Sequence, residues 1–548
     1  MDGTTKAKIF LINQTALGSL KLVMKRKMNN NNRFMPENGQ PMPNGFFRRS
    51  LREPIRFGLN FSRNWWRHPQ VLYEQRYFHP GQQQHFAAVP INLNLLQGAP
   101  TQNEPDPPGT EPSGYIKPFS VNAYKWARKC KTQNESVDLR NWIDVPITFE
   151  KNAAFKKSFE FSVMSFNVLA QDLLEQHPYL YNKHNNAALE WQERWKRIHE
   201  EISNHRPNIV CLQEVQESHL NEYFLKQLEL LGYVGIYKKR TGLRCDGCAI
   251  FYKIDSISLL DYATVEFMQP NIPLLNRDNV AIVATFCPKD LPENKFIVAT
   301  THLLYNPKRQ DVRLAQVQIL LAEIERLSFH LDSEKQKNYL PIILSGDFNA
   351  TPTSCLYKFI CKGHLQYQYL AAKKLDEEGV TCQGPVLIPS DLQITDNCQH
   401  ALLVKTRDSY YKNSNYESDV VNLSKKVDLN KLYHSTNKIC SSNCSTLKTN
   451  NLFSTGTLSH QFAFKSAYNH DDLANPQATT FQDEWVTVDY IFYSGKKIEG
   501  QFQDDNLKLS GYFSLPCRSE LKGFKMPNDS LGSDHFCLVA KFLLNTGS

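Results

Sequence analysis

From about residue 158 to 544 the chain is built of short apolar runs that stop abruptly on polar residues, a pattern that few folds accommodate. FEFSVMSFNVL opens the series, NIVCLQEV spans 208–215 and PIILSGDF spans 341–348. Runs this short, bounded by polar or turn-forming residues, are strands buried in a sheet rather than helices. Helical spacing appears between them. WQERWKRIHEEI places Trp195, Ile198 and Ile202 on one face before Pro207 ends it. HLNEYFLKQLELLGY does the same with Leu220, Tyr223, Phe224, Leu228 and Leu231, and a further helix is predicted near 309–326. The middle of the chain gives consecutive strands: VGIYKK, CAIFYK, VEF, NVAIVATFC and KFIVATTHL. WVTVDYIFYS at 485–494 and HFCLVAKFLL at 535–544 then complete the core. Helices alternating with strands early, and strands following strands later, predict an α+β or mixed α/β sandwich with helices covering the sheets.

Two stretches break this texture. Residues 1 to about 150 hold 14 of the 28 prolines, an Asn run at Asn29–Asn32 and the segment QGAPTQNEPDPPGTEPSG. Such a composition buries too little apolar surface to offset ordering entropy, so this leader is expected to be largely disordered, with RNWWRHP as a short docking element. Its 20 Lys+Arg against 11 Asp+Glu account for the whole net charge of +8. The leader could therefore dock on nucleic acid, protein or an anionic membrane, act as an address, or be a solvated tail. Its first 28 residues carry Lys6, Lys8, Lys21, Lys25, Arg26 and Lys27 against Asp2, as a mitochondrial transit peptide does, but few are Arg or Ser. The second stretch, about 370–480, is rich in Asn, Ser, Lys and Asp and reads as a polar insertion.

Several classes are excluded. No run approaches the roughly 18 apolar residues of a membrane span. The 13 cysteines are odd in number and irregularly spaced, which implies no disulfide framework and points to reduced thiols. Cys245 with Cys248 and Cys440 with Cys444 have the reach of zinc half-sites but lack a matching pair, so Cys248 is expected as a small buried strand residue.

The polar residues at the strand ends carry the chemistry. They are Asn167 in SFNVL, Glu214 in CLQEV, His302 in TTHLLYNP, Asp347 with Asn349 in SGDFN, Asp489 in VDYIF, and Asp534 with His535 in SDHF. A carboxylate or Asn at one strand end is usually a cap or turn former. Together they suit phosphoester chemistry. Glu214 and Asp534 offer oxygen ligands for a hard cation such as Mg²⁺. Asp347 is placed to orient or deprotonate a water, Asn349 and Asn167 to donate to phosphoryl oxygens, and His302 and His535 to flank the phosphorus. Asp489 would fix the tautomer of His535. The expected reaction is metal-assisted phosphoester hydrolysis.

The ordered series QEV, THL, GDFN, VDYIF and SDH resembles the endonuclease/exonuclease/phosphatase superfamily over about 158–544. That resemblance implies a four-layer α/β sandwich, two β-sheets flanked by helices. SFNVLAQDLL, CLQEVQ, RTGLRCDGCAIFYK, RDNVAIV, THLLYNPKRQDVRLAQ and SGDFNATPTSCLYKFI resemble its carbon-catabolite-repressor and nocturnin group, and within that the Angel family. The resemblance implies dependence on Mg²⁺, with Mn²⁺ as a substitute, and a substrate at RNA 3' ends, of mRNA or tRNA. By motif, Glu214 matches the metal-binding Glu, Asp347 and Asn349 the water- and phosphate-handling pair, and His302 and His535 the phosphate-facing histidines. Asn167, Asp489 and Asp534 match the remaining site positions.

Two reactions fit those positions: hydrolysis of 2',3'-cyclic phosphate to leave hydroxyls, favoured by the Angel resemblance, and stepwise 3'-5' removal of poly(A). Tyr305, Asn306 and Pro307 are candidates for holding a base or terminal ribose, or for a plain turn. A non-catalytic RNA-binding scaffold is the reading from a different class, and an intact set of site positions argues against it. Apurinic DNA endonuclease and inositol-phosphate phosphatase chemistry are further options on such a fold. Cytoplasm is the expected compartment, with nucleus and mitochondria as alternatives.

Overall fold

The computed structural model describes residues 66–67, 139–147, 157–332, 334, 336–412 and 452–545. Apart from Trp66–Arg67 and 139–147, the leader lies outside the described residues, as does the Cys440/Cys444 pair. Among the described residues no helix is long and apolar enough to cross a membrane.

Two large mixed sheets form the centre. The strands of the first are β1 (Trp142–Asp144), β2 (Ser158–Asn167), β3 (Ile209–Gln216), β4 (Tyr233–Lys239) and β5 (Asp246–Lys253). The second takes β6 (Ile257–Glu266), β7 (Val280–Pro288), β8 (Phe296–His302), β9 (Ile342–Asp347), β10 (Ala463–Ser466) and β11 (Asp489–Ile498). The chain then returns to the first sheet with β12 (Leu507–Phe513) and β13 (Leu538–Asn545), giving the order β1-β12-β13-β2-β3-β5-β4. The second sheet runs β6-β7-β8-β9-β11-β10, with Trp66–Arg67 antiparallel to the edge strand β6. Each sheet has one parallel pair at its middle, β2 with β3 and β8 with β9.

Burial explains the layers. Phe161, Ile209, Ile250, Ile282, Phe286, Val298, Ile343, Leu538 and Phe542 pack between the two sheets. The opposite face of the first sheet meets the helix α1 (Trp191–His205) through Trp195, Ile198 and Ile202, against Val210, Leu212 and Val539. The outer face of the second meets α2 (Gln310–Ser328) and α3 (Cys355–Lys362). The result is helix, sheet, sheet, helix: the four-layer α/β sandwich expected from the motifs. Burying each of these large apolar side chains contributes about 1.5–3 kcal/mol. Cys248 is fully buried on β5, as its strand reading required.

The polar stretch after 370 supplies buried side chains of its own. Leu375, Leu387, Ile388, Ile394, Leu458 and Phe464 join the core under α2. The run WVTVDYIFYS departs from the expectation of one strand. Glu484–Val486 pairs in a hairpin with Thr480–Gln482, and β11 starts afresh at Asp489. The cause is local: Thr479 Oγ1 accepts from Val488 N at 3.1 Å, turning the chain between the two pieces.

Candidate active site

Strand register alone brings three of the candidates together. Asp347 is the last residue of β9, paired with His302 on β8 and with Asp489 on β11. Across the sandwich Asn167 ends β2 beside Gln213 of β3. Glu214 follows in a bulge, where the register between β3 and β5 shifts between Leu212 and Val215. Its φ of 58° is unusual for a residue with a Cβ and re-aims the side chain toward the cleft. The two sheets therefore each present half of one cluster.

Hydrogen bonds join the halves. Asn167 Nδ2 donates to Glu214 Oε1 and to Asp347 Oδ2, each at 3.1 Å. Glu214 Oε2 accepts from Ala170 N at 3.1 Å. His302 Nε2 lies 3.5 Å from Asp347 Oδ2 and its Nδ1 3.9 Å from Glu214 Oε1. His535 Nδ1 donates to Asp489 Oδ2 at 2.8 Å, which turns its Nε2 toward Asp347 Oδ2 at 3.9 Å and Asp534 Oδ1 at 4.0 Å. Asn349 N donates to Asp347 Oδ1 at 2.9 Å, while its Nδ2 donates to Leu303 O at 3.0 Å.

Tyr305 and Asn306 sit apart from this cluster. Asn306 Oδ1 accepts from Lys308 N at 3.0 Å, so its side chain closes the turn into α2. Tyr305 stays 61% exposed. Its hydroxyl pKa is raised by partial burial, with Asp483, Tyr179, Asp534 and Asp347 adding to the effect.

Several supporting residues had no signal in the sequence. Tyr181 Oη donates to Asp534 Oδ2 at 2.8 Å. Ser533 Oγ donates to Asn167 O at 2.6 Å, tying the segment before β13 to the end of β2. Gln213 Nε2 reaches Thr300 Oγ1 of the other sheet at 2.9 Å. Arg194 of α1, wholly buried, donates to the carbonyls of Val168, Leu169 and Gly532 and to Gln171 Oε1. Arg194 could only read as one more polar residue of an amphipathic helix, because its acceptors come from distant loops.

The electrostatics are unbalanced toward negative charge. Burial, Asp246 and Asp534 push the Glu214 carboxyl up to about 6. Burial and Asp489 push Asp347 up to about 6 as well. Among the described residues no Lys or Arg pairs with Glu214, Asp347, Asp489 or Asp534. Buried Asp534 Oδ1 and His302 Nδ1 lack hydrogen-bond partners. Four carboxylates with unfilled acceptor capacity are what a divalent cation neutralises. Ligand atoms of Asp347, Asp489 and His535 also lie within 4.8 Å of one another.

The two histidines diverge. Burial drives His302 below its ordinary value, leaving it neutral. For His535 burial works downward too, but Asp489, Asp534 and Asp347 outweigh it and raise the imidazole well above its usual range. Its stabilising contribution is thus present below the unfolded pKa and lost as pH rises through the folded one. Asp489→Asn should move the alkaline limb of the turnover profile to lower pH; a profile identical to that of the parent would show that His535 does not set the limb.

Six strand-end motifs on a two-sheet, four-layer sandwich define the phosphoesterase architecture, and the chain belongs to the Endonuclease/Exonuclease/phosphatase family, whose pattern matches residues 164–535. Protein angel homolog 2 of Bos taurus is 36% identical over 456 residues, covering 80% of this chain and 78% of its own. Protein angel homolog 1 of Homo sapiens is 35% identical, covering 70% and 63%. Among solved structures, ANGEL2, a 2',3'-cyclic phosphatase, in complex with adenosine-2',3'-vanadate, is 34% identical. It superposes with a TM-score of 0.57 over 74% of this chain and 99% of its own.

Proposed function

We propose that the chain is a Mg²⁺-dependent phosphoesterase that hydrolyses 2',3'-cyclic phosphate at RNA 3' ends to leave both hydroxyls. The observation that carries this reading is the 34% identity and 99% coverage of ANGEL2, a 2',3'-cyclic phosphatase. A phosphoric ester hydrolase also agrees with the family match and with the cluster at the strand ends.

Glu214 and Asp534 would hold the cation, which supplies positive charge against the phosphoryl oxygens. Asp347 acts on the attacking water, since it is buried, poised near neutrality and anchored by Asn167 and by Asn349 N. His535, oriented by Asp489, carries a proton toward the departing oxygen. Neutral His302 donates a hydrogen bond from the other side. Releasing both hydroxyls means breaking two P–O bonds in turn, first the ring and then the monoester. Two histidines on opposite sides let either face the departing oxygen.

The test gives the purified protein and Mg²⁺ two oligoadenylate-tailed RNAs, one ending in 2',3'-cyclic phosphate and one in hydroxyls. Conversion of the cyclic end to a diol without shortening supports the reading. Stepwise shortening of the hydroxyl-ended RNA would replace it with poly(A) removal, and inertness toward both with a scaffold. A product that stops at the monophosphate would sink the two-step version.

Metal binding should also be visible in stability. Glu214 and Asp347 have raised folded-state pKa values, so the metal-free protein holds extra protons relative to the unfolded chain and loses stability as pH rises from the ordinary carboxylate range to about 6, above which the loss is complete. Mg²⁺ should raise the melting temperature more at about pH 7.5 than at about pH 5, on either side of those values. Glu214→Gln should remove most of that gain. An equal gain in the variant would place the cation elsewhere.

A further inference from the structure

A second cluster of metal-ligating side chains lies on the far side of the first sheet, away from the carboxylates of the cleft. Glu201 and His205 stand four residues apart on the last turn of α1, a spacing that puts both on one helix face. Cys537, just before β13, points at them from the sheet. The ligand atoms of all three lie within 4.8 Å of one another.

The three have the properties of a soft-metal site. Cys537 is 1% exposed and Glu201 8% exposed, and the Cys537 thiol donates to Glu201 Oε2 at 2.8 Å. Burial, aided by Arg140, pushes His205 down to about 4, so the ring is the neutral, ligating form. It makes an edge contact with Phe513 at 4.6 Å between centroids, and among the described residues no hydrogen bond engages its nitrogens. Arg140 Nη1 lies 3.7 Å from Cys537 Sγ and Nη2 donates to Cys537 O at 2.6 Å; burial and Glu201 outweigh this cation and hold the thiol well above its usual range, so its proton leaves only when a metal takes its place. Tetrahedral zinc sites separate N, O and S ligands by about 3.3–3.8 Å, given bond lengths near 2.0–2.3 Å. The S–O pair must open and the histidine close by about 1 Å to reach that arrangement.

We propose that Glu201, His205 and Cys537 form a zinc site, with water as the fourth ligand, that fastens α1 to the start of β13. Binding replaces the thiol proton: one Zn²⁺ enters, one proton leaves Cys537 to solvent, and the thiolate, carboxylate and imidazole close on the metal. No redox change is involved. The metal acts structurally, since Cys537 lies two residues beyond His535 and on the opposite face of the sheet from the carboxylates.

The cysteine supplies a specific readout. The full chain, stripped with chelator, is titrated with Co²⁺, whose thiolate complexes absorb strongly in the near ultraviolet. Oxygen and imidazole ligands in the cleft give no such band. The expected result is a charge-transfer band saturating at one Co²⁺ per chain, displaced by Zn²⁺, retained in Glu214→Gln and lost in both Cys537→Ser and His205→Asn. His205 is only partly buried, so its variant keeps the test meaningful should Cys537→Ser fail to fold. No thiolate band in the parent, or a band that survives in His205→Asn, would overturn the site and leave the cluster a simple Arg140–Cys537–Glu201 polar network.

Discussion

Asp347→Asn is expected to lower the rate of cyclic-phosphate hydrolysis by about 10²–10⁴-fold, the range contributed by a positioned general base, while leaving RNA binding and the fold in place. The change is nearly isosteric, and Asp347 is the point where both sheets meet: it pairs with His302 and Asp489 by register and accepts from Asn167 across the interface. An amide offers one acceptor oxygen where the carboxylate satisfies Asn167 and Asn349 N together. The water-handling oxygen and the Asn167 contact therefore compete for it. Single-turnover assays with saturating RNA separate the chemical step from binding. A loss below about tenfold would mean that another group handles the water. A loss of binding equal to the loss of rate would show that Asp347 holds the RNA and does not act on the water.

The second large effect belongs to stability. Arg194→Ala should destabilise the domain by about 3–5 kcal/mol, since three buried carbonyls lose their charged donor at about 1–3 kcal/mol apiece. Its guanidinium is 0% exposed and holds the carbonyls of Val168, Leu169 and Gly532, the loops that carry Asn167 and Asp534. Those three acceptors would be left unpaired in the interior. Arg194→Lys should recover only part of the loss, because a point charge cannot span three carbonyls arranged for a fork. Urea unfolding provides the measurement; a shift smaller than about 1 kcal/mol would show that water replaces the side chain.

These two residues also mark the boundary of what the sequence discloses. Asp347 was legible because β9 is a clean apolar run ending in Gly-Asp, and a strand's end has only one place to present a side chain. The same reasoning located Asn167, Glu214, His302, Asp489 and His535, all of which the structure gathers. Arg194 was not legible, since burial of a helix arginine depends on carbonyls about 25 and 338 residues away in the chain. Tyr181 and Ser533 fall in loops with no periodicity to read. The break before Asp489 was hidden for the opposite reason: WVTVDYIFYS is rich in β-branched and aromatic residues throughout, and only Thr479, outside the run, turns it. Composition marked 370–480 as polar, yet scattered residues such as Leu387 and Leu458 reach the core, where spacing gives no period to detect.

Chain order at the cleft has a bearing on how the protein is made. Asn167 comes from β2 early in the domain, whereas Asp534 and His535 precede β13, which fills the gap between β12 and β2. A polypeptide still being synthesised has every other cleft residue in place and lacks those two, along with the strand that seals its first sheet. Until that strand is added the cluster in which His535 meets Asp489 and Asp347 stays incomplete.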